Sequence, residues 1–399
     1  MKYNAWTLAL IGAGVVSLPA MAHADENTNA VVSAVSTTNA VLTALSATTI
    51  SGYVDTSAHW NPGTGSANLP VYTPNGKSGS SEANGFNLDL VSLTINKPVG
   101  EGDWGAGYNA TLLFGADAVG YNNTSGSTTS DFSLKDAYVD LHVPLGNGLD
   151  VKLGTFTEIL GYEVYETGNN PNYTRSYGYE IEPTALTGML LTYQFSPIIT
   201  AQAGVANTWS AGVNGRSSPP KPTTAIGGVT LTAPESMGFL SGSTLSGGII
   251  NGYDDVSALG LKTSLYVGGT FKTPIKCLSV GLAYDYVALG YNTGFGTPQS
   301  SGYQNATAGY LLWQATDKLS FNTRADYFTQ SDYMAQPGMP PKAFALSETV
   351  QYDLWKNVVS RVEFRWDNSV TGQEAYGGTA GAPSLKNAFL LAANIIYKF

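Results

Sequence analysis

Side chains able to do covalent or proton-transfer chemistry are few in this chain. Of its three histidines only His59 and His142 lie beyond the first 24 residues, and Cys277 is the single cysteine. Hydrolysis needs a nucleophile and a base within hydrogen-bond reach. The two histidines fall at opposite ends of predicted strands, about 30 Å apart if those strands cross a bilayer. Neither sits in a recognisable Ser/His/Asp arrangement, so an enzyme is not expected. No His/Cys cluster signals a metal centre, although Asp254-Asp255 could hold Ca²⁺ loosely. No cofactor is called for. Cys277 excludes an internal disulfide framework and reads as a small apolar filler.

Charge is the chemistry that remains. Residues 158–184 carry Glu158, Glu163, Glu166, Glu180 and Glu182, with Arg175 as the only base. Later segments alternate Arg324 with Asp326, and Arg361 and Arg365 with Glu363 and Asp367. Further charges at alternating positions are Asp136, Asp140, Lys152 and Asp285, with Tyr138 and His142 beside the first two. Such groups either pair into a ladder that braces a wall or line a path for charged solutes.

The elements that would position these residues follow from the N-terminus and the composition. Residues 1–24 read as a secretory signal: Lys2, an apolar stretch from Ala5 to Val16, Pro19, then Ala22-His23-Ala24 with cleavage before Asp25. Removing one base and no acid takes the net charge from −10 to −11. That balance argues against nucleic acid, which rewards positive patches, and favours cations nearby. Residues 25–47 form a separate segment, a short helix or a tether. Later apolar runs are all broken within a few residues, so no transmembrane helix is expected. Charged residues are 12% of the chain, against about 25% in soluble proteins. The 24 Tyr outnumber the 14 Phe, as suits a membrane–water boundary. An exported chain without spanning helices can cross a membrane only as a closed barrel.

Period-two alternation begins near residue 49. Val362, Phe364 and Trp366 share one face, and Arg361, Glu363, Arg365 and Asp367 the other. Sixteen strands are predicted at 49–59, 86–96, 104–114, 132–144, 149–157, 185–195, 198–208, 223–233, 243–253, 259–272, 277–289, 303–315, 318–330, 343–355, 357–368 and 384–398. Long connections (60–85, 115–131, 158–184, 209–222, 290–302, 331–342, 369–383) alternate with short ones, as periplasmic turns alternate with extracellular loops. Two fit poorly: 234–242 is long for a turn and 254–258 short for a loop. Trp60, Trp209 and Trp366 fall at predicted outer edges, and Trp104, Trp313 and Trp355 at inner ones, as two aromatic girdles would. The final strand aligns alternate residues from Phe389 to Phe399 on one face. Glu348 interrupts an otherwise apolar face, which a bulge, a subunit contact or a shifted register would explain. The predicted fold is an all-β, antiparallel up-and-down barrel over residues 48–399.

Residues 154–177 read GTFTEILGYEVYETGNNPNYTRSY. This resembles the OmpL-like β-barrel porin family, in which Gly-x-Phe leads into Gly-Tyr-Glu, Asn-Pro and Tyr-x-Arg-Ser-Tyr. Leu231 to Ser236 (LTAPES), followed by Gly247 to Asp254, is a second similarity. The resemblance covers most of the chain beyond Thr49. It implies an outer-membrane barrel with channel function and leaves the solute open. By analogy of loop position with trimeric general porins, loop 158–184 is expected to fold inward. Its acids would then face Arg324, Arg361 and Arg365 across a constriction with a mild cation preference; a loop capping the mouth is the alternative. Expected partners are outer-membrane lipid, small hydrophilic solutes or ions, the barrel-assembly machinery acting on the last strand and, by analogy, two further copies. A sugar- or nutrient-specific channel and a surface adhesin or receptor are the competing functions.

Overall fold

The computed structural model describes residues 47–74, 83–100, 104–119, 121, 131–209, 213–216, 223–253, 261–290, 301–331 and 339–399. The leader, nearly all of segment 25–47, Asp254-Asp255 and the 254–258 connection lie outside them. Sixteen strands form the wall. In the first half these are β1 Thr49–Trp60, β2 Gly85–Lys97, β3 Gly105–Phe114, β4 Phe132–Val143, β5 Leu149–Thr157, β6 Ala185–Gln194, β7 Ile199–Ala206 and β8 Thr224–Thr232. The second half adds β9 Thr244–Tyr253, β10 Leu261–Lys272, β11 Leu278–Leu289, β12 Gly302–Gln314, β13 Leu319–Gln330, β14 Lys342–Trp355, β15 Val358–Ser369 and β16 Asn387–Lys398. Each pairs antiparallel with its sequence neighbours, and β1 closes on β16 from Tyr53↔Lys398 to Trp60↔Leu391. Closure leaves no unpaired edge, which is what a strand in hydrocarbon requires.

Alternation sorts the two faces. On β16, Leu391, Ile395 and Tyr397 are exposed while Leu390, Ala392, Asn394 and Ile396 are buried. Similar outward rows of Leu, Val, Ile, Phe and Tyr run around the barrel. In water they would be an aggregation surface; facing lipid they are the seat of the fold. The buried cores lie on the inner side, and one of them gathers Phe156, Leu160, Tyr162, Tyr177 and Ile181 against wall residues of β6 to β14.

Two bulges matter for the interior. Between β1 and β2 the register skips Asp89, and between β3 and β4 it skips Lys135. Each adds one buried charged residue beside a normally placed one, the usual way a bulge re-aims a side chain.

The connection 233–243 is long because it contains a 3-10 turn, Glu235–Leu240, closed by Gly242 N–H donating to the Ala233 carbonyl at 2.9 Å. Glu348 faces outward opposite Thr323 and Phe364, and the only shift in its strand lies beyond it, between Asp353 and Trp355. The Thr323 hydroxyl donates to its carboxylate at 2.6 Å.

Trp60, Trp104, Trp313, Trp355 and Phe399 are exposed at the rims. Trp366 is half-buried, its indole N–H on Asn387 Oδ1 at 2.9 Å. Trp209 departs from the expectation. It is 6% exposed, its indole donates to Ser264 Oγ at 3.0 Å, and Lys262 Nζ lies 4.2 Å from its ring. It packs inside against β10 and is no interface aromatic. A residue just past a strand end can turn either way, and here a hydroxyl partner turned it inward.

Candidate functional site

The segment between β5 and β6, residues 158–184, is the most buried irregular stretch among the described residues. It first folds on itself. The Arg175 guanidinium, fully buried, donates to the carbonyls of Val164 (3.1 Å), Tyr173 (2.9 Å) and Tyr165 (2.7 Å) and to Thr167 Oγ1 (3.2 Å). Asn170 closes a second ring on Val164, accepting from its N–H at 2.8 Å and donating to its carbonyl at 2.6 Å. Ser176 caps the one-turn helix α1 (Tyr177–Ile181), accepting from Tyr179 N at 3.3 Å.

The folded segment is then fastened to the inner face of β12 to β15. Arg324 on β13 pairs with Glu163 (3.0 Å) and Asp326 (3.0 Å), and donates to the carbonyls of Thr174 (2.5 Å) and Arg175 (2.9 Å). Glu163 also accepts from Tyr310 OH at 3.1 Å and Ser176 N at 2.6 Å. Glu363 on β15 takes two successive loop N–H groups, Tyr173 at 2.6 Å and Thr174 at 3.1 Å. Arg365 pairs with Asp367 at 2.8 Å and reaches the Arg175 carbonyl at 2.7 Å, while Asp367 accepts from Tyr177 OH at 2.8 Å. Arg361 donates to Gln351 Oε1 (2.9 Å) and to the carbonyls of Thr167 (2.7 Å) and Asn170 (3.1 Å). Thus wall acids satisfy loop N–H groups and wall bases satisfy loop carbonyls. A stretch with no ladder of its own can stay dry only on those terms.

Arg324, Arg361, Arg365, Asp326, Glu363 and Asp367 are each at most 2% exposed, as is Glu163. The picture of arginines facing loop acids across open water therefore gives way. Arg324 and Glu163 are in direct contact, Arg361 and Arg365 meet loop carbonyls, and all of these side chains are buried. Arg175 faces its own loop rather than a path.

Other predicted residues lie elsewhere. Glu166, half-buried, pairs with Lys135 at 2.6 Å, and Lys135 also meets Asp136 at 3.2 Å. Asp136 in turn accepts from Thr157 N at 2.8 Å. Lys398 extends from β16 to the loop tip, donating to the Gly168 carbonyl at 3.1 Å. Glu158 is buried, and that burial holds its carboxyl well above the usual range. Glu180 and Glu182 are partly exposed. Burial first, and the neighbouring carboxyl of Asp285 second, push Glu182 well above the carboxylate range. Tyr138, Asp140 and Lys152 stand on β4 and β5, half-exposed, with Lys152 Nζ 4.9 Å from the Tyr138 ring.

The histidines are far apart in role. His59 Nε2 meets Tyr173 OH at 2.8 Å and Ser57 Oγ at 3.3 Å, and Asp89 accepts from Ser57 at 3.0 Å. His142 Nδ1 pairs with Asp150 at 2.6 Å near the β4–β5 turn. Among the described residues no three His, Cys, Asp or Glu side chains gather as metal ligands.

Sequence reasoning missed Tyr173, Tyr177 and Tyr310 as anchors, the bond from Asn172 Nδ2 to Thr349 Oγ1 at 2.7 Å, and Lys135 and Asp89 as inward charges. Alternation could not find the last two, because a bulge removes them from the count. The signal was there in the adjacent charges Lys135-Asp136.

The outer-membrane channel DcaP of Acinetobacter baumannii has a similar fold, with TM-score 0.59 at 13% identity over 88% of this chain and 97% of that one. The anion-selective porin of Comamonas acidovorans aligns with TM-score 0.57, 13% identity and coverages of 88% and 99%. In vitro folded OmpT of Vibrio cholerae, in trimer form, gives 0.53, 10% identity and coverages of 88% and 99%. No curated protein is similar enough in sequence to count as a relative. The family model described as "Putative beta-barrel porin-2, OmpL-like" matches residues 47–399, and the chain belongs to that family of bacterial outer-membrane barrels.

Proposed function

We propose that this barrel is a passive diffusion pore for small hydrophilic solutes or ions, narrowed by loop 158–184 and mildly preferring cations. The observation that carries this reading is the loop's buried attachment to β12–β15, through Glu163, Arg324, Glu363 and Arg365. The loop also reaches β4 through Glu166 and Lys135, and beside it on the wall Asn109, Tyr138, Asp140, Lys152 and Gln202 keep the partial exposure that passage needs. Glu180 and Glu182, partly exposed at the end of the loop, give its accessible part an acidic character, and charge lining a pore sets its selectivity. The anchors Arg324, Arg361 and Arg365 act by holding the constriction in shape.

A solute-selective channel is the second reading. A cavity of about 280 Å³ between the loop tip and β1, β2 and β16 supports it, lined by Ser51, Ser92, Thr94, Glu166, Asn169 and Lys398. The full reading includes cleavage after Ala24, both chain ends in the periplasm, and recognition of β16 by the assembly machinery. A homotrimer would cover the outward carboxylate of Glu348, a costly group to leave in lipid. Planar-bilayer reversal potentials in a salt gradient test the core claim. Cation-weighted currents are expected; anion selectivity would overturn the preference, and absence of any current would overturn the pore.

A further inference from the structure

Glu182, at the end of the loop, and Asp285, on the inner face of β11, bring their carboxyls side by side. Asp285 is 4% exposed. One oxygen of each, Glu182 Oε2 and Asp285 Oδ1, is buried without a hydrogen-bond partner. Two glycines make the room. A Cβ at Gly161 would lie 2.3 Å from Glu182 Oε2, and one at Gly178 would lie 2.5 Å from Asp285 Oδ2.

The groups facing this pair are acids and phenols. Glu158 and Glu163 approach from the loop, Tyr162 beside them, and Tyr266 from β10. Glu163 is neutralised by Arg324 at 3.0 Å. Among the described residues no Lys, Arg or His pairs with Glu182 or Asp285. Two neighbouring buried carboxylates without a counter-ion cannot both be ionised, and one proton between them would satisfy the unpartnered oxygens.

We propose that Glu182 and Asp285 share a single proton and together set the charge of the constriction, so that its preference for cations depends on pH. This rests on the pore reading above. With the proton in place the pair carries one negative charge and ties the loop's end to β11. Loss of the proton adds a second negative charge at the narrowing and replaces the tie with repulsion. The two residues titrate as a unit, so the transition belongs to the pair and not to either group.

Reversal potentials of the full barrel at pH 5 and pH 9, in the same salt gradient, test the idea. The wild type should become several-fold more cation-selective at pH 9. Glu182→Gln keeps one negative charge and a donor to Asp285 at both pH values, so its selectivity should stay level. Asp285→Asn is the reciprocal variant and should behave alike. A wild type indifferent to pH, or variants that shift as much as the wild type, would overturn the proposal. Total absence of current would instead overturn the pore reading. In that case the infrared carbonyl band of a protonated carboxyl decides: its weakening in Glu182→Gln at neutral pH supports the shared proton, and an unchanged band sinks it.

Discussion

The two halves of the inner wall use the same residue types to opposite ends. On β13 and β15, three arginines and three acids are at most 2% exposed and bound to each other or to the loop. On β4 and β5, Asp140 and Lys152 remain half-exposed, with Lys152 beside the Tyr138 ring of the same wall. A charge in a barrel lumen thus tells little about a path until its partners are known. Where a loop lies against the wall, the charge replaces the missing backbone ladder; where none does, it faces water and can act on a passing solute. Buried pairs resist removal of one partner far more than their net stabilisation suggests, because the remaining charge is left dry.

The sharpest way to break this contrast is Arg324→Leu. It leaves Glu163 and Asp326 unpaired in a dry site, at an expected cost of about 3–5 kcal/mol. Denaturant titration would read that loss, and single-channel conductance should rise as the loop detaches. An unchanged conductance would mean the loop does not narrow the passage. Glu363→Gln should do less. It keeps an acceptor for Tyr173 N but weakens charge-assisted bonds, for a loss of about 1.5–3 kcal/mol in the same titration. The alkaline limb sharpens the picture of the anchored side. The proton shared by Glu182 and Asp285 is held in the folded state, with the Glu182 carboxyl raised by burial, so its stabilisation of the loop is complete below the ordinary Glu value, about 4.3. It is lost as pH rises through the raised value. Protease nicking of the loop should therefore increase at alkaline pH and not at pH 5, and the reverse trend would contradict the assignment. On the open wall, Lys152→Met should leave stability within about 0.5 kcal/mol while moving the reversal potential toward cations. A large stability loss there would erase the distinction between the halves.

Much of the wall was legible in the sequence. The sixteen predicted strands match the sixteen found, and the largest boundary difference is three residues, at the start of β16. Period-two alternation with a lipid-facing side is strongly constrained, since a one-residue slip turns every charge outward. The inward placement of Arg361, Glu363, Arg365 and Asp367 followed from the same rule. What the rule could not supply was partnership. Whether Arg324 meets water or Glu163, which precedes it by 161 positions, depends on how an irregular segment folds, and such segments have no period to read. Bulges hid Lys135 and Asp89 for a related reason. Trp209 misled because closeness to a strand end fixes height along the barrel but not the side of the wall.

The path by which such a molecule can assemble follows from the seam. Asn394 Nδ2 of β16 donates to the Asp55 carboxylate and to the Thr56 carbonyl of β1, contacts between opposite ends of the chain. Pairings so distant in sequence are late and slow. The loop belongs to the first half of the chain, yet its anchors stand on β13 and β15, which emerge long afterwards. Its dry network has to form from strands still free to approach it, before the cylinder shuts. The loop is then an internal former around which the last strands wrap, and its tip, held by Lys398, waits within one strand of the place where the circle closes.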